Sequence, residues 1–329
     1  MILISPRGGN GSKYNFVETH MITIGTRKSK LAMWQTEMVA GSLHEHGMAT
    51  RIHSLETIGD RILDTSIAKI GSKGVFTAEL EEQLAGGATD IAVHSAKDMQ
   101  SQLPEGFVLI AFTAREKVND VLLGTDLSID IADAGRPLVV GTSSVRRRAF
   151  LRHFYPHVKI VEMRGNLQTR IRKMQEGHCD ALILAYAGVT RMGYDRMIIK
   201  EFATEQFVPP VGQGCIAIEA ASTLAPEKMA KIRRCLNNRT SEICLLAERA
   251  FLKKLDGGCS IPAFGYAVLE GDELTLAAGL ASLDGTKILR VTEKGSAEDP
   301  VELGVRAGEK ILDGGGRQML EEIRCAQAL

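Results

Sequence analysis

The sequence of 329 residues predicts an α/β fold: two lobes of related design, each a mostly parallel sheet with helices on both faces, then a small α+β domain with a three-stranded antiparallel sheet. Three observations carry this. Short apolar strands alternate with helical spacing through most of the first two hundred residues. Local grammar then repeats. Ile24-Gly25-Thr26-Arg27-Lys28-Ser29 is echoed by Val140-Gly141-Thr142-Ser143-Ser144, and Gly87-Ala88-Thr89-Asp90-Ile91-Ala92 by Gly177-His178-Cys179-Asp180-Ala181-Leu182. Beyond residue 236 the rhythm changes to one long helical face and three closely spaced strands.

The elements follow in order. Residues 1–20 hold Gly8, Gly9 and Gly11 and show little periodicity, so they read as a flexible extension. They lack the basic region and apolar stretch of a secretory signal. Residues 22–25 form an apolar strand. Leu31, Trp34, Met38 and Leu43 mark a helix over 30–43. Residues 51–57 alternate like a strand. Phe76, Leu80 and Leu84 stack on one helical face, which Gly86-Gly87 ends. Residues 90–94 are a strand.

The second lobe begins with a strand at 137–142, and Ser143 or Ser144 caps the helix that runs to about Phe154. Strand 158–163, helix 167–176 and strand 180–186 follow, then a helical turn to Arg191. In the third segment Ile243, Leu246, Ala247, Ala250 and Leu255 share a helical face that Gly257-Gly258 terminates. Strands at 265–269, 274–280 and 287–291 and helices at 301–312 and 319–327 complete it.

Charge is balanced, with 40 basic and 40 acidic residues, and aromatic residues make up 5%. Neither the basic excess nor the stacking platform of a nucleic-acid binder is present. No apolar run approaches the ~18–20 residues that cross a membrane. The six cysteines form no C-x-x-C pair, and no zinc-type histidine pair accompanies them. His44 and His46 sit two apart on a helix and face different ways, so no metal site is expected. Gly71-Ser72-Lys73-Gly74 is too short for a phosphate-binding P-loop. A cytoplasmic protein is expected.

The cations fall at turns after strands, where α/β folds build their sites. These are Arg27 and Lys28, then Arg146, Arg147 and Arg148, then Arg164 beside Gly165, with Arg170 and Arg191 further on. Lys69 and Lys73 lie just before the Phe76 helix. Guanidinium forks and helix N-termini bind carboxylate or phosphate, so a cleft of this kind suits a polyanion. The alternative is a solvated charged face. Asp98, in His94-Ser95-Ala96-Lys97-Asp98, is the lone carboxylate among them. It can pair with developing positive charge, with Lys97 balancing it, or it can simply hold a turn. Cys259, between Gly257-Gly258 and Ser260-Ile261-Pro262, is an accessible loop thiol. Cys215, in Gly212-Gln213-Gly214-Cys215, is its rival, and composition does not separate the two.

Together these motifs resemble the porphobilinogen deaminase (hydroxymethylbilane synthase) family. The likeness rests on Ile24 through Arg27, Lys69 through Gly74 with Phe76, and His94 through Asp98. It extends to Gln102-Leu103-Pro104, Gly141 through Arg147, Arg164-Gly165-Asn166, Pro210 through Gly214 and Gly257-Gly258-Cys259. It runs from about residue 22 to the C-terminus. The resemblance implies a transferase of tetrapyrrole and haem biosynthesis. It would join four porphobilinogen molecules with loss of ammonia and release hydroxymethylbilane by hydrolysis.

The resemblance also implies a dipyrromethane cofactor joined by a thioether to Cys259, which selects Cys259 over Cys215. Asp98 becomes the catalytic residue. Lys97, Ser143, Ser144, Arg146, Arg147, Arg164 and Gly165 surround the cofactor. Arg27, Ser29, Arg170 and Arg191 bind substrate carboxylates, and Lys69, Lys73 and Phe76 lie on a loop over the cleft. The implied domains are 21–115 with 214–235 and 116–213, two periplasmic-binding-protein-like α/β lobes with crossovers near 112–119 and 208–216, and 236–329, after the 1–20 extension. A monomer is implied, with its product passed to uroporphyrinogen III synthase and no nucleic-acid or membrane partner.

Two departures stand out. Gln100 occupies the place of a common proline, which leaves that loop less rigid, and Ser72 replaces a common glycine. Two other classes stand as weaker alternatives on residues alone. A non-catalytic two-lobed anion binder would not need Cys259. An RNA binder would show steeply salt-dependent affinity.

Overall fold

A computed structural model of the chain describes residues 21–57, 77–258 and 260–328. The first sheet has the order β2-β1-β3-β10-β4. It comprises β1 (Ile22–Arg27), β2 (Thr50–Leu55), β3 (Ile91–Ser95), β4 (Phe107–Phe112) and β10 (Ile216–Ala221). β1 runs parallel to β2 and β3, whereas β10 is antiparallel to both its neighbours. Helix α1 (Lys30–Glu45) starts where the Ser29 hydroxyl accepts a hydrogen bond from the Ala32 amide at 3.3 Å. It buries Val39, Ala40 and Leu43 on the sheet. Helix α2 (Ala78–Ala85) closes the same sheet through Leu80 and Leu84.

The second sheet repeats the plan in the order β7-β6-β8-β5-β9. Its strands are β5 (Asp120–Gly124), β6 (Val139–Gly141), β7 (Lys159–Val161), β8 (Ala181–Ala185) and β9 (Ile198–Glu201). Here β5 is the antiparallel strand, flanked by β8 and β9. Helices α3 (Val145–Phe154), α4 (Leu167–Gln175) and α5 (Tyr186–Arg191) connect the others. Two apolar cores, one centred on Phe150 and Phe207 and one on Leu182 and Met174, pack against this sheet.

Each sheet therefore has four strands in one direction and one reversed strand, and the reversed strands adjoin the crossovers. The chain leaves the first sheet after β4 and enters the second as β5, then returns from β9 to β10. The passing segments are stitched together. The Glu116 amide donates to Gly214 O at 3.1 Å, and the Thr113 amide to Ile216 O at 3.0 Å.

Helices α6 (Pro226–Leu236) and α7 (Arg239–Lys254) lead to an antiparallel sheet of β11 (Ala263–Glu270), β12 (Glu273–Ala281) and β13 (Ile288–Ser296). Helices α8 (Pro300–Ile311) and α9 (Arg317–Ala328) finish the chain. α7, α8 and α9 bury Phe251, Leu303 and Ile323 in one core with Leu276. The predicted elements are present within a few residues. β4, β5, β9, β10 and α6 are additions that the sequence pattern did not mark.

Candidate active site

The C-terminal ends of β1 and β3 and the entry to α5 after β8 converge on one cleft. Its first part encloses about 430 Å³, open solvent included, and is lined by Arg27, Ser29, Gln35, Thr77, His94, Ser95 and Asp98. The second, about 300 Å³, is lined by Lys97, Ala187, Gly188, Arg191, Gly212, Gly214 and Cys215. Leu31, Gln35 and Ser95 border both parts. Asp98 closes a 3₁₀ turn, Ala96–Asp98, directly after β3. The loop at Gly212 presses on that turn: a Cβ there would stand 2.8 Å from both Ala96 C and Lys97 N, at a φ of +79°. Only glycine fits such an approach.

A buried polar network ties the turn to the second sheet. Lys97 Nζ donates to Gln213 Oε1 at 3.3 Å. Gln213 Nε2 donates to Val118 O at 2.7 Å and to Asp120 Oδ1 at 3.0 Å. Asp120, fully buried, also accepts from Arg146 Nη2 at 2.5 Å and from Arg147 Nε and Nη2 at 3.1 and 2.7 Å. Arg146 Nη1 also donates to Val208 O and Arg147 Nη1 to Ile183 O, and Arg147 Nη2 reaches Gln213 Oε1 at 3.5 Å.

The electrostatics reflect this crowding. Burial alone would raise the Asp120 carboxyl, but Arg146 and Arg147 hold it well below the usual carboxylate range. Burial, reinforced by Arg147 and opposed by Asp98, pushes the Lys97 ammonium down to about 8. Burial and Arg147 bring Arg170 down to about 10, again against Asp98. Burial also lowers Arg191. Nε of Arg146 and Nε of Arg191 are buried with no hydrogen-bond partner among the described residues. The cleft lining itself carries Arg27, Lys97 and Arg191, with the Nε of Arg191 left over as a donor, which fits a ligand bearing several carboxylates.

The other expected residues are placed as follows. Ser144 caps α3, its Oγ accepting from the Arg147 amide, while Ser143 Oγ accepts from the Met163 amide. Arg164 pairs with Glu162 at 2.5 Å. Arg170 Nε donates to the carbonyl of Gly165 at 2.7 Å. Arg191 Nη2 donates to Gly214 O, and its guanidinium lies 5.4 Å from the Trp34 ring centre. Cys259, Lys69, Lys73, Phe76 and Ser72 lie outside the described residues. Cys215 borders the cleft, but burial pushes its thiol up to about 11, so it stays protonated at neutral pH. Gln100 is held where a proline was expected: its Nε2 donates to Thr77 Oγ1 at 3.4 Å, and its carbonyl accepts from Arg249 at 2.8 Å. Among the described residues no group of His, Cys, Asp or Glu is arranged to hold a metal, and no helix is long and apolar enough to cross a membrane.

Sequence reasoning missed Asp120 and Gln35, and quoted Gln213 only inside a motif. Spacing along the chain carried no signal for Asp120, whose partners Arg146 and Gln213 lie 26 and 93 residues away.

Comparison with known proteins agrees with this geometry. The family model for the porphobilinogen deaminase dipyrromethane cofactor binding domain matches residues 22–228, and the model for the C-terminal domain matches 242–313. The chain belongs to the porphobilinogen deaminase family. A porphobilinogen deaminase of Desulfosudis oleivorans is 57% identical over 306 residues, covering 93% of this chain and 99% of that protein. One from Cytophaga hutchinsonii is 54% identical over 303 residues, covering 92% and 97%. Among solved structures, the methionine binding protein MetQ aligns at 12% identity and a TM-score of 0.42, over 66% of this chain and 89% of that one. At that score the fold class rests on the sheets themselves: two doubly wound α/β sheets and a three-stranded antiparallel sheet.

Proposed function

We propose that this chain condenses four porphobilinogen molecules with loss of ammonia and releases hydroxymethylbilane by hydrolysis. The observation that carries the reading is the cation-rich cleft around Asp98, at the strand ends of both five-stranded sheets. Each porphobilinogen brings an acetate and a propionate, so a growing chain gathers carboxylates that need cationic partners. A dipyrromethane held by a thioether on Cys259 supplies, when bound, the pyrrole carbon that receives the first unit.

The chain's own residues do the rest. Arg27, Ser29, Arg170 and Arg191 bind incoming carboxylates. Lys97, Ser143, Ser144, Arg146, Arg147, Arg164 and Gly165 hold the cofactor side. Asp120 takes part of the donor capacity of Arg146 and Arg147, which fixes their guanidinium planes before any ligand arrives. The Asp98 carboxylate stabilises positive charge on pyrrole nitrogens and moves protons at its Oδ atoms. The family resemblance gives Lys69, Lys73 and Phe76 the role of a loop over the cleft.

The same reading divides the chain into 21–115 with 214–235, 116–213 and 236–329, with 1–20 as an extension. It places a monomer in the cytoplasm that hands its product to uroporphyrinogen III synthase.

The test is the intact mass of the protein beside a Cys259→Ala variant, each after incubation with porphobilinogen. A two-pyrrole increment on the parent that the variant lacks is expected. A parent that stays unmodified, or a variant that gains the same mass, overturns the reading.

A further inference from the structure

We propose that Glu219, His94 and Arg249 form a charge network beneath the cleft that positions Asp98, with Glu219 at its centre. Asp98 has to be placed from outside. Among the described residues no hydrogen bond reaches its carboxylate, so its position depends on the backbone of its 3₁₀ turn. That turn is closed from within by the Met99 amide, which donates to Ala96 O at 3.3 Å.

The three residues come from three elements. In the antiparallel pairing of β3 and β10, Ala217 stands opposite His94 and Glu219 opposite Ala92. His94 and Glu219 therefore share one face of the sheet as diagonal neighbours. The register of β10 against β4 shifts between Ile218 and Glu219, an irregularity of the kind that re-aims a side chain beside a site. Glu219 is fully buried and His94 nearly so, and His94 Nε2 stands 3.1 Å from Glu219 Oε2. Two helices cover the same face. α2 packs Leu80 and Leu84 on Ala92, and α7 packs Leu245 on Ala217. Each brings a charge to Glu219. Burial pushes the Glu81 carboxyl of α2 up, against Thr77 and His94, and Glu219 adds to the push. Burial brings Arg249 of α7, one turn beyond Leu245, down to about 10, and Glu219 is the charge that opposes it.

Arg249 carries the network to the far side of Asp98. Its Nη2 donates to Gln100 O at 2.8 Å and to Ser101 O at 3.5 Å. His94 lies four residues before Asp98 and lines the cleft with it. The chain is thus held on both sides of the turn. A buried carboxylate needs compensation, and no hydrogen bond reaches either oxygen of Glu219 among the described residues. Charge is what ties it to Arg249. Without that charge the partly buried Arg249 gains by turning to solvent, and it then releases the carbonyls of residues 100 and 101. The catalytic consequence rests on the activity proposed above, whereas the network itself does not.

The experiment measures amide hydrogen exchange by mass spectrometry over residues 96–103 of the full chain, with porphobilinogen turnover and thermal midpoints alongside. Arg249→Met keeps the length and removes the donors, and Arg249→Lys restores the charge and a donor. Glu219→Gln keeps the size and removes the charge. Arg249→Met is expected to exchange about ten-fold faster over 96–103 but not in β6 or β8, the scale of one lost hydrogen bond to a charged group. Its kcat should fall by a similar factor with KM within about two-fold, because Asp98 acts in the transition state. Arg249→Lys should recover most of both. Glu219→Gln should reproduce the changes of Arg249→Met, and the double variant should be little worse than either. Parent-like exchange and kcat in Glu219→Gln overturn the network, as do additive losses in the double variant. So does faster exchange throughout the chain that tracks a lowered midpoint and is not recovered in Arg249→Lys. A parent without turnover fails the activity proposed above, and the exchange measurements then decide the network on their own.

Discussion

Lys97 and Asp98 are adjacent in sequence and opposite in charge, and their surroundings give each a measurable signature. Burial and the neighbouring Arg147 bring the Lys97 ammonium down to about 8 from 10.5. Below that pH it is charged and can meet a carboxylate. Above it, the cleft loses one positive charge and porphobilinogen binding weakens. A bound carboxylate favours the protonated form, so binding near pH 9 takes up protons. Calorimetry in two buffers of different ionisation enthalpy measures that uptake. It should vanish in Lys97→Arg, whose guanidinium does not titrate in this range. Uptake that persists in the variant would assign the proton to another group. For Asp98, Asp98→Asn keeps the size of the side chain and removes its charge. Turnover should fall about 10²-fold or more at an unchanged melting midpoint, the range of a lost general acid–base group. Parent-like turnover would remove Asp98 from the chemistry.

At the scale of elements, the start of α3 was legible because a cap is local: Ser144 accepts from an amide three residues on. Ser29, Asn166 and Asn238 cap their helices in the same way but were not read as caps, and α7 begins four residues before the Ile243 face that marked it. Strands β1, β3, β6 and β8 were legible as apolar runs ending in turn residues. β5 and β10 were not read, although both are buried throughout, as β8 is. Their identity as the reversed strand of each sheet depends on pairing across the fold, which spacing along the chain does not encode. The cleft follows the same division. Arg27, Lys97, Arg146 and Arg147 announced themselves by standing at strand ends. Asp120 gained its meaning only from Arg146, 26 residues on, and from Gln213, 93 residues on. The loop after Asp98 teaches a related lesson. The missing proline predicted looseness, but side-chain and backbone hydrogen bonds to Thr77 and Arg249 from other elements do the holding.

Across the whole molecule, the two crossover segments and the third sheet meet at Glu248 of α7. Its carboxylate is fully buried and accepts from Arg115 Nη1 and Nη2 at 2.5 and 3.1 Å, from the Gly212 amide at 2.8 Å and from the Ala267 amide at 2.9 Å. Arg115 belongs to the outgoing crossover, Gly212 to the returning one and Ala267 to β11, so one side chain joins three parts of the fold. Arg115 also donates from Nε to Gln213 O and lies 5.0 Å from the Tyr266 ring centre. Burial would lower the Arg115 guanidinium, and Glu248 more than offsets it. Removing the carboxylate therefore leaves a buried cation and two amides without their partner, which is costlier than losing a surface pair. Glu248→Ala should destabilise the protein by about 3–5 kcal/mol in urea unfolding. Glu248→Gln, which keeps one acceptor and the shape, should cost less. The loss should reach the cleft as well, because Gly212 presses on the Asp98 turn and Gln213 contacts Lys97. Porphobilinogen binding in Glu248→Gln should thus weaken even at temperatures where the variant is fully folded. Stability within about 1 kcal/mol of the parent in Glu248→Ala would mean that the crossovers are held by their own backbone pairing rather than by this carboxylate.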